Sequence, residues 1–331
     1  MREVCGLKFS GAGGDRVVIT ADGKVLATNF QECVQDALKA WRALPEKNRK
    51  PGAVKLGNRP AGDDGLPKPP PGGLVVKIHL RALGRDNQGR LRHAERRDWL
   101  GDSDDPNEQR RHLMAGYKQV RPDIDMKVLE KRYGNMPHWF RISKRIYQPH
   151  PDFMWITEAE WKSLVPANPR VGEKYPFPDN VTRRIFQFHL DLNRTVGDPI
   201  TQKIMAGDLW LKVVKALPDQ FQLQLEGFAK VRDGHIRKED LTRKFEARLY
   251  GYLDYDRKKG EFTRFDMLAL GETYGGFEAG LGHFGYTRPG RSPYGIAFEL
   301  VGDDDSPVER HIPPRGGGAT FTYKSYFGDA K

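Results

Sequence analysis

Three histidines, His138, His150 and His189, are the side chains of this chain best suited to hold a transition metal. Three imidazoles with an open fourth position suit zinc or copper. Their spacing matches neither H-x-H nor H-x-x-x-H, so only the fold can bring them together. The competing roles are structural. His138 and His150 fit a basic, aromatic surface, and His189 fits a hydrogen-bonded core position within a strand.

Paired carboxylates are the next chemistry to consider. Asp254, Asp256, Glu261 and Asp266 surround one hairpin, and two of them could flank a glycosidic bond. They adjoin Arg257, Lys258 and Lys259, however, and carboxylates at a lysine-rich turn are ordinarily surface ion pairs. The chain has no G-x-S-x-G, no Walker A sequence and no H-E-x-x-H. "SGAGG" at 10–14 lacks the Lys-Ser/Thr of a phosphate-cradling loop, and a flexible tail explains it as well. Asp102, Asp104 and Asp105 do not fit the calcium-binding EF-hand template, and a helix-capping aspartate before "PNEQRRHLMAGY" accounts for them better.

Charge gives a third possibility. The chain carries +11 at neutral pH with an isoelectric point near 9.5, a balance that favours nucleic acid, anionic polysaccharide or anionic lipid as partners. From Arg81 to His150 there are 16 Lys/Arg against 10 Asp/Glu. Within that segment "KRYGNMPHWFRISKRIYQPH" interleaves cations with rings. Trp139, Arg141, Lys144 and Arg145 therefore form a candidate site for an anionic polymer, in the way single-stranded nucleic acid is held by stacking and phosphate pairing. A second candidate is the glycine-rich "GETYGGFEAGLGHFGYTRPGRSPYG", which offers Arg288 and Arg291. It reads either as a loop over a ligand cleft or as a long connection between strands.

Cys5 and Cys33 are the only cysteines, and they form no C-x-x-C. A single bridge and two free thiols both fit, and a redox accessory role would rest on this pair. No run of about 18 apolar residues is present, so no transmembrane helix is expected. The opening "MREVCGLKFS" lacks the apolar stretch of a signal peptide, which leaves either an internal protein or one whose leader has been removed.

The elements that must position these groups follow from periodicity. "RVVITADGKVLA" is an expected hairpin about Asp22–Gly23. Phe30, Val34, Ala37, Leu38, Trp41 and Leu44 then recur at helical spacing, and Pro45 stops the helix. Together with the Pro-rich stretch that follows, this order resembles the tail of a thioredoxin-like domain. The nearest likeness is to uncharacterised exported proteins of planctomycete-type bacteria, in which "PPPGGLVVKIHLRAL", "DFMWITEAEWKSLVPANPRVGEKYPFP" and "ARLYGYLDYDRKKGEFTRFDMLALGE" have similar counterparts. The resemblance implies an architecture and export, but no activity. The thioredoxin C-x-x-C has no match here, so thiol–disulfide exchange is not implied.

Residues 57–73, "GNRPAGDDGLPKPPPGG", read as a semi-rigid linker. In the strand that follows, "LVVKIHLRAL", Leu74, Val76, Ile78 and Leu80 share one face and Val75, Lys77, His79 and Arg81 the other. In "WITEAEWKSLVP", Thr157 and Glu160 have capping-box spacing, with Trp161 and Leu164 facing a core. From residue 183 the apolar period becomes two: "RRIFQFHLDL", "DLWLKVVKAL", "FQLQLEGFAKV", the hairpin "KFEARLYGYLDYD"–"RKKG"–"EFTRFDMLALGE" and "YGIAFELV" all read as strands. Phe245, Ala247, Leu249, Leu253 and Tyr255 should be the packed face of that hairpin.

The expected fold is mostly β, α+β overall, an antiparallel barrel or sandwich. The expected divisions are a hairpin–helix unit (1–56), a linker (57–73), a strand with a basic helical insertion (74–182) and an antiparallel β region (183–331). The expected function is a non-catalytic binding or structural module for an anionic or polymeric ligand. A metal-binding protein or metal-dependent enzyme built on the histidines, and a redox accessory protein, are the alternatives.

Overall fold

The computed structural model describes residues 18–19, 25–27, 33–49, 68–95, 97–105, 107–109, 111–112, 115, 127, 150–190, 203–232, 243–275, 291–302, 305, 309–314 and 326–328. The chain divides into two compact units, Met1–Leu66 and Pro67–Lys331. In the first, β1 (Val18–Ile19) pairs antiparallel with β2 (Val25–Ala27), and α1 (Cys33–Ala43) follows. The Asp22–Gly23 turn lies outside the described residues. On α1, Ala37 is buried, whereas Leu38 and Trp41 of the expected apolar face are 41% and 38% exposed.

The second unit is built on one nine-stranded antiparallel sheet. Its strands are β3 (Leu74–Arg85), β4 (Leu91–His93), β5 (His150–Ile156), β6 (Lys174–Pro176), β7 (Lys203–Ala216), β8 (Gln220–Arg232), β9 (Arg243–Asp256), β10 (Glu261–Gly275) and β11 (Ser292–Leu300). The order is β4-β3-β11-β10-β9-β8-β7-β6, with β5 also paired to β3. The sheet therefore has two free ends and does not close into a barrel. Strands from 74–156 and from 203–300 belong to the same sheet.

Alternation decides which face is filled. Val76, Ile78, Leu80, Leu211, Val213, Leu223, Leu225, Phe245, Leu253, Phe265 and Ile296 all point to one side and are 2% exposed or less. Two short helices fill that side: α3 (Glu158–Lys162), and α4 (Asp179–Arg184), which runs on into a π-helical turn at Ile185–His189. Trp161, Leu164, Phe177, Val181, Ile185 and Phe186 join the strand residues in a single cluster, with the Trp161 and Phe262 rings edge-on at 6.0 Å. In the hairpin, Phe245, Ala247, Leu249 and Leu253 are buried as the alternation requires. Gly251 lies in the same inward register, and a Cβ there would run into the Asp266 carbonyl of the neighbouring strand.

The capping box is present: the Thr157 hydroxyl accepts from Glu160 N at 3.3 Å, and Glu160 Oε2 accepts from Thr157 N at 2.9 Å. The end of the Pro-rich stretch is tied to this helix, since Trp161 Nε1 donates to the Gly72 carbonyl at 2.8 Å.

The segment "RRIFQFH" departs from expectation, being helical rather than extended. Its buried residues are Arg184, Ile185, Phe186, Phe188 and His189, the last four spaced i, i+1, i+3 and i+4. That is the stripe of a helix, and Pro178 with Asp179 supplies its start.

The packing makes a contrast that can be measured. Leu253→Ala empties a fully buried position and should cost about 2–5 kcal/mol. Lys258, whose ion pair with Asp219 is largely exposed, should tolerate alanine within about 0.5 kcal/mol. Urea titrations of both variants read the difference; equal midpoints would contradict the assignment of faces.

Candidate ligand-binding face

On β7–β10 the residues between the core positions face outward, and several are large and apolar. Trp210 is 43% exposed, Phe228 37%, Tyr250 46% and Leu268 45%. The register aligns them. Trp210 stands opposite Glu226, Glu226 opposite Tyr250, and Tyr250 opposite Leu268, giving one row across four strands. In the adjacent row Phe228 lies between Asp208 and Arg248. Trp210, Phe228 and Tyr250, together with Lys174, Asp208, Glu226 and Arg248, line a depression of about 600 Å³.

Polar groups are held in place around the rings. Gln224 Nε2 donates to Glu226 Oε1 at 2.6 Å, and Lys174 Nζ lies 3.9 Å from Glu226 Oε2. The Tyr250 and Tyr252 hydroxyls share a hydrogen bond, and their rings meet edge-on at 5.3 Å. That bond foremost, then desolvation and the nearby Glu226, raises the Tyr250 pKa. The face thus offers exposed rings for stacking beside fixed donors and acceptors.

Arg291, expected to meet a ligand, sits elsewhere on the outward face in an ion-pair network. It donates to Glu272 and to Glu246, each at 2.7 Å, with its guanidinium 4.2 Å from the Tyr274 ring centre. Glu246 also accepts from Lys230 Nζ and from the Tyr274 hydroxyl at 2.6 Å. Lys230 foremost, then Tyr274 and Arg291, push the Glu246 carboxyl down to about 2. His138, Trp139, Arg141, Lys144, Arg145 and Arg288 lie outside the described residues, as does the side chain of His150.

His189 is fully buried. Its Nδ1 is 3.0 Å from Asp152 Oδ2 and its Nε2 is 2.6 Å from the Tyr326 hydroxyl. With Nδ1–H donating to the carboxylate, Nε2 is left to accept from Tyr326. The Tyr326 oxygen in turn accepts from Trp155 N at 3.3 Å. Beside this chain, Arg184 donates to Glu160 at 2.8 and 2.5 Å, to the Trp155 carbonyl at 3.3 Å and to the Tyr326 carbonyl at 3.1 Å. Burial opposes the Glu160 charge, but the Arg184 bonds outweigh it and the carboxyl sits below its usual range. The arrangement ties Tyr326 into the core. Among the described residues no group of three or more His, Cys, Asp or Glu is placed to hold a metal ion.

The four hairpin carboxylates have structural partners. Asp256 accepts from Lys259 N and Lys258 N at 3.0 and 2.8 Å, bonds that lower its pKa. Asp254 accepts from Gln222 Nε2 at 2.7 Å, Asp266 from Arg264, and Glu261 lies 3.8 Å from Lys259. A general acid needs its pKa raised, the reverse of what the turn does to Asp256.

The described part of the basic segment is also paired. A depression of about 580 Å³ between the β3–β4 turn and α2 (Arg97–Leu100) is lined by Arg85, Arg90, Arg92 and Arg97. Arg92 binds Asp98 through two bonds of 2.8 Å, Arg90 lies 2.8 Å from Asp86, and Arg97 lies 2.9 Å from Glu95.

Sequence reasoning passed over the exposed rings. Their signal was available in "DLWLKVV", "LEGFAKV" and "RLYGYLDYD": an alternating strand whose polar positions hold Trp, Phe or Tyr.

The ion-pair network implies a pH dependence. The Glu246 pKa falls on folding from the ordinary 4.5 to about 2, so the carboxylate stabilises the fold above pH 4.5 and this contribution is lost as pH drops toward 2. Glu246→Gln should therefore flatten the stability-versus-pH curve between those limits, measured by urea midpoints across the range. An unchanged slope would remove Glu246 from the account.

Comparison with family models, with curated proteins and with solved structures gives no match.

Proposed function

We propose that this chain is a non-catalytic binding module that holds an extended, polymeric ligand against the outward face of β7–β10. One observation carries the reading: Trp210, Tyr250 and Leu268 stand exposed in a single cross-strand row, with Phe228 beside it. A row of this kind crosses several strands and suits a ligand longer than the span of one pocket. Large apolar groups held in water by a rigid sheet are costly to leave uncovered, and exposed clusters of them mark interaction sites. The hairpin carboxylates occupied by structural bonds, and the absence of any nucleophile motif, favour binding over turnover.

Affinity electrophoresis tests the proposal. Native gels cast with soluble glucans, xylan, mannan, heparin or single-stranded DNA should include at least one that retards the protein. Replacing both Trp210 and Tyr250 by alanine should abolish the retardation while leaving the circular dichroism spectrum intact. Parent and double variant moving alike in every gel would overturn the assignment of this face.

A further inference from the structure

We draw no further inference here: the strongest candidate, the outward row of Trp210, Tyr250 and Leu268 across β7–β10 with Phe228 beside it, belongs to the face already described, and nothing in the structure shows what covers it.

Discussion

A strand sends successive side chains to opposite faces, and across β7–β10 only one face of the sheet is filled, whereas at β3 and β5 a second buried cluster that includes Val75, Phe153 and Trp155 covers the other face as well. Strands β7–β10 run for 13–15 residues in antiparallel register, shifted only at Ile204/Ala206, Val213/Lys215 and Phe262/Arg264, so each commits about half its side chains to each side. Two short helices occupy the inner side, and the buried cluster there runs across the sheet from β3 through β11, β10, β9 and β8 to β7. Whatever the outer side carries is free of the demands of the core. Arginines, lysines and carboxylates cover most of it in ion pairs that are individually weak in water. The exposed rings of Trp210, Phe228 and Tyr250 stand apart from that pattern, and a polar surface gives no packing reason for them.

The inner side depends on local signals that also act at long range. Glu160 closes the capping box of α3 and then binds Arg184 on α4, which reaches the β5 carbonyl of Trp155 and the carbonyl of Tyr326. Breaking a buried pair leaves the surviving charge desolvated, so the arrangement resists piecemeal change. Its two side chains are 2% and 11% exposed, which places it among interactions that fix geometry more than they add net stability. Helices, β5 and the residues around Tyr326 are thereby held as one body.

Much of the sheet was legible in sequence because alternation is local. Phe221, Leu223 and Leu225 alternate with Gln222, Gln224 and Glu226, and the structure buries the first set. The capping box needed only four residues to be seen, and the turn at 257–260 only its Asp and Gly. "RRIFQFH" misled because a short apolar run fits both periods, and a helix this short offers too few turns to separate them. The buried His189–Tyr326 contact spans 137 residues of sequence, and no local pattern encodes it. The exposed rings escape notice for a different reason: alternation that is followed for the inward set treats the outward set as solvent, whatever residues it holds.

The central claim is that inner and outer residues of one strand do separate jobs, and adjacent positions Trp210 and Leu211 test it directly. Leu211 is fully buried and Trp210 is 43% exposed. Each is replaced by alanine, and urea midpoint and retardation in the polymer-containing gels are measured on the same preparations. The account predicts that Leu211→Ala loses about 2–5 kcal/mol of stability and keeps the retardation of its folded fraction. Trp210→Ala should stay within about 1 kcal/mol of the parent and lose the retardation. A Trp210→Ala protein that unfolds like the Leu211 variant and still binds would contradict the division of labour between the two faces.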